Sequence, residues 1–392
     1  RSRGCHQLLP QLGVHRQEGS LACQHALVQG CTLTSTGVIV IGGGIAGMSA
    51  AARLAPHAKV TILEREDRLA YHASGRSAAA FIQDYGNDVV RGLNSASVDY
   101  LTNANGGVLS PRGFMLTAKK EEKYDFLEEA KSFGLDHISP LEAKTKIPLI
   151  NTDIVGYAAY REDVSDIDTD LFFQNFVKEA RAAHAEIKLN SEATSISSAN
   201  GKWHVDTKTE HFSASVLINA SGAWADKTAA LSGMTPLGFM PYRRSIARIP
   251  VPGGFDPSDW PLFDEIKERW YAKPDAGQLI VSPADEDPLE PQDTWADDMV
   301  LAEGIARFEK MITHPVERMT TNWAGLRTFS PDRSLVIGSA AENRQFFWLC
   351  GQGGYGFQTA AAASRLAADL ILGRQSELSV DLCAALSPDR FS

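Results

Sequence analysis

The sequence predicts an α/β protein in which a parallel-sheet domain is interleaved with a second, α+β domain built on an antiparallel sheet. Two observations carry this prediction. A strand, a glycine-rich turn, a helix and another strand follow one another over residues 37–63, which is the order of a βαβ unit. Near the C-terminus a strand, a second glycine-rich loop and a helix recur over residues 346–372, so we expect the chain to return to its first domain.

The elements of the first unit are predicted from residue type. Residues 38–41 (VIVI) are all apolar, as a strand buried on both faces requires. Residues 45–55 are rich in small residues and predict a helix, and residues 59–63 (KVTIL) predict the next parallel strand. The unit therefore has the Rossmann-type arrangement.

The turn of this unit, Gly42 to Gly47, has the spacing GxGxxG. Gly42 permits the tight turn, Gly44 lets the backbone approach a pyrophosphate, and Gly47 allows the helix to pack closely on the strand. The helix N-terminus offers N–H donors to phosphates, and Glu64 ends the second strand where a carboxylate accepts hydrogen bonds from ribose hydroxyls. These features together predict dinucleotide binding.

The choice between NAD and FAD depends on the second glycine-rich loop, Gly351 to Gly356. It precedes a helix, so its backbone can lie against a ring system while the helix dipole faces a carbonyl that gains negative charge on reduction. A plain turn into a core helix is the alternative. The two loops together favour FAD.

Composition excludes several classes of function. A formal net charge of -10 argues against a nucleic-acid partner, which requires a basic face. No run reaches the roughly 18 apolar residues of a membrane-spanning helix. The cysteines and histidines show no metal-ligand spacing, so we predict no metal. The odd cysteine count favours a reducing, cytoplasmic location. The cysteines are Cys5, Cys23, Cys31, Cys350 and Cys383.

Further elements are predicted along the chain. A charged amphipathic helix is expected around residues 119–133, and a second helix begins near Asp168, whose carboxylate can cap free N–H groups. The pair Asn200-Gly201 predicts a tight hairpin turn between two short strands. Residues 236–322 show no alternation of predicted strands and helices typical of βαβ units, and they are assigned mostly to the second, substrate-facing domain.

Arginines form the third chemical feature. Arg243 and Arg244 lie in an apolar context, as does Arg327 in WAGLRTF. The planar guanidinium matches a carboxylate bidentately, so two such arginines are candidates for a clamp on an amino acid's carboxylate, with paired interdomain arginines as the alternative. Tyr271 could add a phenolic hydrogen bond, or could simply pack.

The motifs together resemble the D-amino-acid oxidase-like superfamily of FAD enzymes, which includes glycine oxidase and monomeric sarcosine oxidase. Within it the chain looks closest to the bacterial FAD-dependent D-arginine (D-amino acid) dehydrogenases. The similarity covers nearly everything after residue 36, through IGGGIAGMSAA, VTILERE, YHASGRSAA, LSPR, DIDTD, LINASGAW, PYRRS, WYAKPDAG, WAGLRTF and FFWLCGQGGYGFQT.

The resemblance implies a glutathione-reductase-like FAD-binding domain with non-covalent FAD. It implies that Arg244, Arg327 and Tyr271 hold the substrate carboxylate, and that Tyr85 is a mobile lid tyrosine. The residues expected to bind the cofactor are Gly42, Gly44, Ile45, Ala46, Gly47, Glu64, Arg65, Ser74, Arg76, Ser77, Ala78, Ala79, Ala193, Ala220, Gly222, Trp224, Gly325, Gly353, Gly354, Tyr355, Gly356 and Gln358.

The chain departs from the arginine enzymes at two positions of the expected side-chain pocket. Phe114 stands where those enzymes carry a glutamate that pairs with the substrate guanidinium, and Ala80 stands where they carry a histidine. A cationic side chain beside Phe114 would lose a charge-assisted hydrogen bond, at a cost of about 1.5–3 kcal/mol. We therefore predict a preference for neutral or apolar amino acids, and no general base is identified.

The predicted function is FAD-dependent oxidative deamination of a small neutral or apolar amino acid to the 2-oxo acid, with hydride transfer from Cα to flavin N5. The D configuration is implied by the resemblance alone. The alternatives are a glycine- or sarcosine-type amine oxidase that uses O2, and a non-catalytic flavin-binding subunit of a larger dehydrogenase complex. The electron acceptor is a quinone, a carrier protein or O2.

The predicted domain division is discontinuous. Residues 1–36 are interpreted as an extension, disordered or an artefact of the gene start. The FAD-binding domain comprises residues 37–112, 185–235 and 323–376, the substrate domain comprises residues 113–184 and 236–322, and residues 377–392 form a C-terminal tail.

Overall fold

The computed structural model describes residues 32–35 and 37–391. Its helices are α1 (Ile45–Leu54), α2 (Asp88–Asn103), α3 (Lys123–Ser132), α4 (Pro140–Lys146), α5 (Thr169–Ala182), α6 (Ala225–Leu231), α7 (Asp298–Lys310), α8 (Gly356–Ile371) and α9 (Val380–Leu386).

The strands are β1 (Thr32–Ser35), β2 (Val38–Ile41), β3 (Val60–Leu63), β4 (Ala80–Phe81), β5 (Leu109–Pro111), β6 (Phe114–Lys119), β7 (Asp136–Ile138), β8 (Val155–Arg161), β9 (Ser165–Ile167), β10 (Glu186–Lys188), β11 (Ser195–Ala199), β12 (Lys202–Asp206), β13 (Glu210–Ala214), β14 (Val216–Asn219), β15 (Met240–Ile249), β16 (Leu262–Glu265), β17 (Tyr271–Asp275), β18 (Gln278–Ser282), β19 (Asp287–Pro288), β20 (Thr321–Phe329), β21 (Val336–Ser339) and β22 (Phe346–Cys350).

A six-stranded sheet forms the centre of the first domain, in the order β10-β3-β2-β14-β22-β21. Its first five strands are parallel and β21 is antiparallel to β22. The predicted βαβ unit and the returning strand are therefore neighbours in one sheet, which confirms the interleaved α/β fold. Since β2 and β22 lie on either side of β14, their carboxyl ends open on the same edge.

Both faces of this sheet are covered, which explains the all-apolar β2. Val38 and Val40 pack with α1, α5 and α8 in one core cluster. Ile39 and Ile41 point to the other face, where they meet Trp203 of the small sheet β1-β13-β12-β11. A strand between two apolar layers cannot alternate polar and apolar residues.

The second domain is a nine-stranded, mainly antiparallel sheet. Its order is β19-β15-β18-β17-β16-β6-β8-β7, with β20 also paired to β15. One face carries a core that includes Trp260, Phe263 and Phe308, and the other face carries a core around Phe114 and Leu116. A three-stranded sheet, β4-β9-β5, links the two domains.

Several local predictions are confirmed. Asp168 caps α5, its carboxylate accepting from the Leu171 N–H at 2.9 Å. Asn200 and Gly201, with φ of 53° and 70°, join the antiparallel strands β11 and β12. The charged helix expected around residues 119–133 is α3, which begins later, at Lys123.

Three segments lie differently from the predicted division. Residues 32–35 form β1, which pairs in parallel with β13, so the predicted extension ends before residue 32. The sequence did not indicate this strand because an edge strand held by backbone hydrogen bonds needs no apolar pattern. Residues 1–31 lie outside the described residues. Helix α5 packs its apolar face, including Phe172 and Phe176, in the core of the first domain. Strand β20 belongs to the antiparallel sheet.

Within residues 32–35 and 37–391, no helix combines the length and the apolar character needed to cross a bilayer.

Candidate active site

The glycine turn between β2 and α1 is the first wall of the site. Gly42 has a φ of 107°, and a Cβ there would lie 2.5 Å from the Ala220 carbonyl oxygen. A Cβ on Gly47 would lie 1.9 Å from the carbonyl oxygen of Gly42. The first position thus needs a glycine for its backbone conformation and the second for the contact between helix and strand, as the motif predicts.

Glu64 lies beside this turn at the end of β3. Its Oε2 accepts from the Gly43 N–H at 2.7 Å and its Oε1 accepts from the Glu66 N–H at 2.9 Å. The residue is 7% exposed, and what remains exposed borders the cleft. A carboxylate has about four lone-pair sites, so two remain for ribose hydroxyls.

A cleft of about 500 Å³ runs from this turn towards the antiparallel sheet. Its lining includes nearly all the residues expected to bind the cofactor: Gly42, Gly44, Ile45, Ala46, Glu64, Arg65, Ser74, Arg76, Ser77, Ala78, Ala79, Ala193, Ala220, Gly222, Trp224, Gly325, Gly353, Gly354, Gly356 and Gln358. Gly47 lies beneath the turn instead, and Tyr355 lines a neighbouring cavity.

Some of these residues shape the cleft through protein contacts. The Arg76 guanidinium donates to the carbonyl oxygens of Thr294 and Ala324, both at 3.0 Å. The Gln358 side-chain oxygen accepts from the Ile82 N–H at 2.9 Å, which ties α8 to the segment after β4. Arg76 and Gln358 therefore hold the walls in place.

The second glycine loop lies against β20. Gly353, with a φ of 52°, donates its N–H to the Thr328 carbonyl oxygen at 2.9 Å, and a Cβ there would lie 2.1 Å from the Phe329 ring. A Cβ on Gly354 would lie 3.1 Å from the Arg327 guanidinium carbon. The loop is therefore a thin backbone layer that packs closely on Phe329 and on the Arg327 guanidinium.

A second cavity of about 420 Å³, which we call the vestibule, adjoins the cleft. Arg244, Arg327 and Gly354 line both cavities, so the two meet there. The vestibule is lined by Tyr85, Arg244, Lys267, Glu268, Ala284, Glu286, Arg327, Phe329, Arg333, Gly354 and Tyr355.

The register of β15 and β20 brings the two predicted arginines together. Arg244 is opposite Gly325, and Arg327 is two residues further along the same strand. Diagonal neighbours of this kind share a face and are about 7–8 Å apart, and Gly325 leaves the space between them free of a side chain. Tyr271 also lines the cleft, close enough to Arg327 to affect the pKa of its guanidinium.

Arg327 is a cation without a partner. It makes no hydrogen bond or ion pair with any residue from 37 to 391. Burial acts to lower the pKa of its guanidinium. The fields of Tyr271 and Tyr85, and then of the Glu268 and Glu286 carboxylates, outweigh this effect, so the pKa is raised. Arg327 is half-buried, and the nearby Glu268 and Glu286 carboxylates make no direct ion pair with it. A guanidinium partly removed from water without a direct ion pair is unfavourable, so this position is suited to an anionic ligand.

Arg244 is only loosely paired. Its guanidinium is 3.4 Å from Glu286 and 3.8 Å from Glu268, although the residue is 5% exposed. Its Nε is buried without a hydrogen-bond partner among the described residues. The guanidinium thus keeps donors for a ligand.

Tyr85 lines the vestibule, and its hydroxyl donates to Glu268 at 3.0 Å. Burial and then the Glu268 carboxylate raise the pKa of the Tyr85 phenol, which keeps it protonated. Its ring contacts Tyr355, with 5.4 Å between the centroids.

Phe114 and Ala80, expected in the side-chain pocket, line neither cavity. Phe114 is 3% exposed and packs edge-on against Phe133. Strand β6 is paired on both sides, by β16 and β8, so this side chain lies in the core behind Tyr85. The described residues that line the vestibule instead include the charged side chains of Lys267, Glu268, Glu286 and Arg333.

The sequence interpretation missed the charged groups of the vestibule other than Arg244 and Arg327. Glu268, Glu286 and Arg333 come from three separate turns, in KER, ADED and SPDR, whose charged composition is typical of exposed loops. Glu268 and Arg333 have positive φ values, of 46° and 60°, which the sequence does not reveal.

Asp264 was also missed. It is opposite Tyr271 in the pairing of β16 with β17, and its Oδ1 is buried without a hydrogen-bond partner among the described residues. Burial, and then the fields of Glu268 and Glu129, raise the pKa of the Asp264 carboxyl well above its usual range.

Comparisons with known proteins agree with this geometry. The family model described as FAD dependent oxidoreductase (DAO) matches residues 37–370. A Xenopus laevis protein, FAD-dependent oxidoreductase domain-containing protein 1, is 23% identical, over 86% of this chain and 79% of its own length.

Two solved structures share the fold. L-proline dehydrogenase from P. horikoshii superposes with a TM-score of 0.76 at 21% identity, covering 92% of this chain and 98% of its own. Glycine oxidase from Geobacillus kaustophilus superposes with a TM-score of 0.76 at 20% identity, covering 90% and 98%. Similarity at this level of identity shows the fold.

The cleft also fits the cofactor on which the family depends. Gly42 to Gly47 and the start of α1 would hold the pyrophosphate of FAD, Glu64 a ribose, and Gly353 to Gly356 the ring system. The family match covers the cleft, both glycine loops and the paired arginines, and the chain belongs to the FAD-dependent oxidoreductase (DAO) family.

Proposed function

We propose that this protein catalyses the FAD-dependent oxidative deamination of a small neutral amino acid, in the D configuration, to the 2-oxo acid and ammonia. The observation that carries the proposal is the unpartnered Arg327 guanidinium at the junction of cleft and vestibule. Bound FAD supplies the two-electron acceptor for oxidation of the Cα–N bond.

The carboxylate end of the substrate is assigned to Arg327, Arg244 and Tyr271. Two guanidinium groups on one sheet face can each donate to a carboxylate oxygen. The Tyr271 hydroxyl makes no hydrogen bond with the described residues and lines the cleft, so it can donate a third. Fixing the carboxylate at three points orients Cα towards the cleft.

The amine must reach the site without its extra proton, because only the neutral nitrogen has a lone pair to support the oxidised bond. The described residues lining the vestibule include no histidine, and Tyr85 stays protonated. We propose that the substrate binds as the neutral amine. The rate should then rise with pH towards the pKa of the substrate amine.

The ion pairs and hydrogen bonds of the vestibule support a neutral substrate side chain, and the sequence did not predict these contacts. Glu286 is paired with Arg333, and Glu268 accepts from Tyr85. A charged substrate side chain would compete with these existing contacts, whereas a neutral one leaves them intact. The D configuration is supported by the shared motifs, and glycine or sarcosine is the alternative within the same chemistry.

Anaerobic mixing tests the proposal. The purified flavoprotein is mixed with a panel of D- and L-amino acids, glycine and sarcosine, and the flavin absorbance is followed. Bleaching fastest with small neutral D-amino acids is expected. Bleaching by none of them would overturn the proposal in favour of a non-catalytic flavin protein, and bleaching fastest with D-arginine would overturn the assigned side-chain class.

Adding oxygen to the bleached protein then identifies the electron acceptor. Rapid recovery of the flavin absorbance is expected of an oxidase, and slow recovery of a dehydrogenase that uses a quinone or a carrier protein.

A further inference from the structure

Glu286 lies between two arginines in the vestibule. Its Oε1 is 3.4 Å from a terminal nitrogen of Arg244, while Arg333 donates to both carboxylate oxygens, at 2.9 Å and 3.1 Å. Arg244 is one of the residues that the proposed function assigns to the substrate carboxylate. A protein carboxylate is thus already directed at that guanidinium.

The position of Glu286 is set by its neighbours in the chain. The adjacent Asp285 accepts from the Ser245 N–H at 2.6 Å and from the Ser245 hydroxyl at 2.8 Å, which anchors the loop to β15 one residue from Arg244. The side chain of Asp285 is 4% exposed. Because the loop is anchored there, Glu286 cannot move far from Arg244.

Arg333 is held from the other side. Its guanidinium carbon lies 3.9 Å from the centroid of the Phe329 ring, as a cation over an aromatic face. Glu286 is closer to Arg333 than to Arg244, and it keeps both oxygens on Arg333. Arg333 therefore draws the carboxylate away from Arg244.

We propose that Glu286 is an internal competitor for the carboxylate site, and that Arg333 limits this competition. The Glu286–Arg333 pair thereby determines how tightly Arg244 binds the substrate carboxylate. This inference rests on the proposed function, because it takes Arg244 as a carboxylate ligand.

The proposal predicts opposite effects for the two members of one ion pair. Removing the charge of Glu286 frees Arg244 and tightens the binding of a carboxylate. Removing the charge of Arg333 releases Glu286 towards Arg244 and weakens the binding of a carboxylate. A pair that only stabilised the loop would give the same direction of effect from either side, because breaking it from either end loses the same contact.

The test uses the FAD-loaded protein and benzoate, a carboxylate without an amine to oxidise. Benzoate binding is followed through the visible flavin spectrum in the unsubstituted protein, Glu286→Gln, Arg333→Gln and the double variant. Glu290→Gln is the matched control, because Glu290 is an exposed glutamate outside the vestibule whose partner is Lys227 at 3.7 Å.

We expect Glu286→Gln to bind benzoate about 3- to 5-fold more tightly and Arg333→Gln to bind it more weakly by a similar factor, as for partly exposed charge pairs. The double variant should bind like Glu286→Gln, because without Glu286 there is no competitor for Arg333 to restrain. This recovery also distinguishes the proposal from simple misfolding of Arg333→Gln. Glu290→Gln should match the unsubstituted protein.

Weaker binding in both single variants, or unchanged binding in Glu286→Gln, would overturn the inference and leave the carboxylate clamp standing. If the unsubstituted flavoprotein binds neither benzoate nor any amino acid, the proposed function fails and the inference fails with it.

Discussion

The cofactor cleft and the vestibule meet at Arg244, Arg327 and Gly354 but are built in different ways. The cleft is lined by small residues and by polar groups that short hydrogen bonds to backbone N–H groups hold in place, such as Glu64 and Gln358. The vestibule is lined by four cationic and two acidic side chains with long or incomplete contacts.

The difference shows which part of the site is rigid and which part is specific. Close backbone contacts at the glycine loops fix the shape of the cleft, which suits a cofactor that is common to the family. Charged side chains from separate loops can form other ion pairs or be exchanged by substitution, so under the proposed function they would set the substrate preference of this scaffold. Variants in the cleft should therefore abolish cofactor binding, and variants in the vestibule should change substrate affinity.

The largest effect is expected from Gly47→Ala. The added Cβ would lie 1.9 Å from the Gly42 carbonyl oxygen, which neither backbone can avoid. We expect the protein to be purified without flavin absorbance or with FAD affinity lowered by at least about 100-fold, a loss of roughly 3 kcal/mol. FAD titration by fluorescence measures this.

Gly92→Ala is the control for that variant. Gly92 is also in a helix, but its added Cβ would meet only the flexible end of Leu382, at 2.9 Å. It should retain the flavin. Full flavin occupancy in Gly47→Ala would contradict the assignment of the cleft as a rigid cofactor site.

Arg327→Met should distinguish the proposed role of the cleft, cofactor binding, from that of the vestibule, substrate binding. The protein is expected to keep its flavin, while kcat/KM for the best amino acid falls at least about 100-fold because a buried charge-assisted contact is lost. Steady-state kinetics and the flavin spectrum of one preparation give both answers.

Arg248→Met is the matched variant, since Arg248 is on the same strand β15 but pairs with Asp275 away from both cavities. It should retain normal kinetics. A normal kcat/KM in Arg327→Met would remove the main support for a carboxylate clamp.

Tyr271→Phe should have a smaller effect in the same direction. It removes one hydroxyl and leaves the ring, so we expect about a 10-fold loss in affinity for a carboxylate, as for one hydrogen bond to a charged group. Benzoate titration measures it. Unchanged binding would assign Tyr271 to packing alone.

Asp264→Asn tests stability rather than affinity. Burial and the fields of Glu268 and Glu129, opposed by Arg244, raise the pKa of the Asp264 carboxyl in the folded state above its value in the unfolded chain. The folded state therefore loses stability as the pH rises from the unfolded-state pKa towards the folded-state pKa. The neutral amide avoids this penalty. We expect Asn to add about 1–3 kcal/mol at about pH 8 and less at about pH 4.

Thermal unfolding at the two pH values measures the effect, with the exposed Asp259→Asn as control. An equal gain at both pH values would show that the Asp264 carboxyl carries no such penalty.

Much of the cofactor cleft could be predicted because its signals are local. Gly42, Gly47 and Glu64 act through the backbone and strand next to them, so contiguous residues encode both the motif and its geometry. The two arginines were found because a cation in an apolar segment stands out in the sequence.

The vestibule could be predicted only in part, because its residues meet through sheet register and loop packing. Phe114 was assigned to the pocket by its place in a motif, yet β16 and β8 enclose its strand and bury it. Glu286 and Arg333 are 47 residues apart and have no local signature.

The sequence by itself therefore determined the βαβ unit, the cofactor and the two arginines proposed to bind a carboxylate, because periodicity, backbone chemistry and a cation in an apolar segment are local properties. Only the tertiary structure decided which side chains line the vestibule, because long-range pairing of strands and loops brings its charges together.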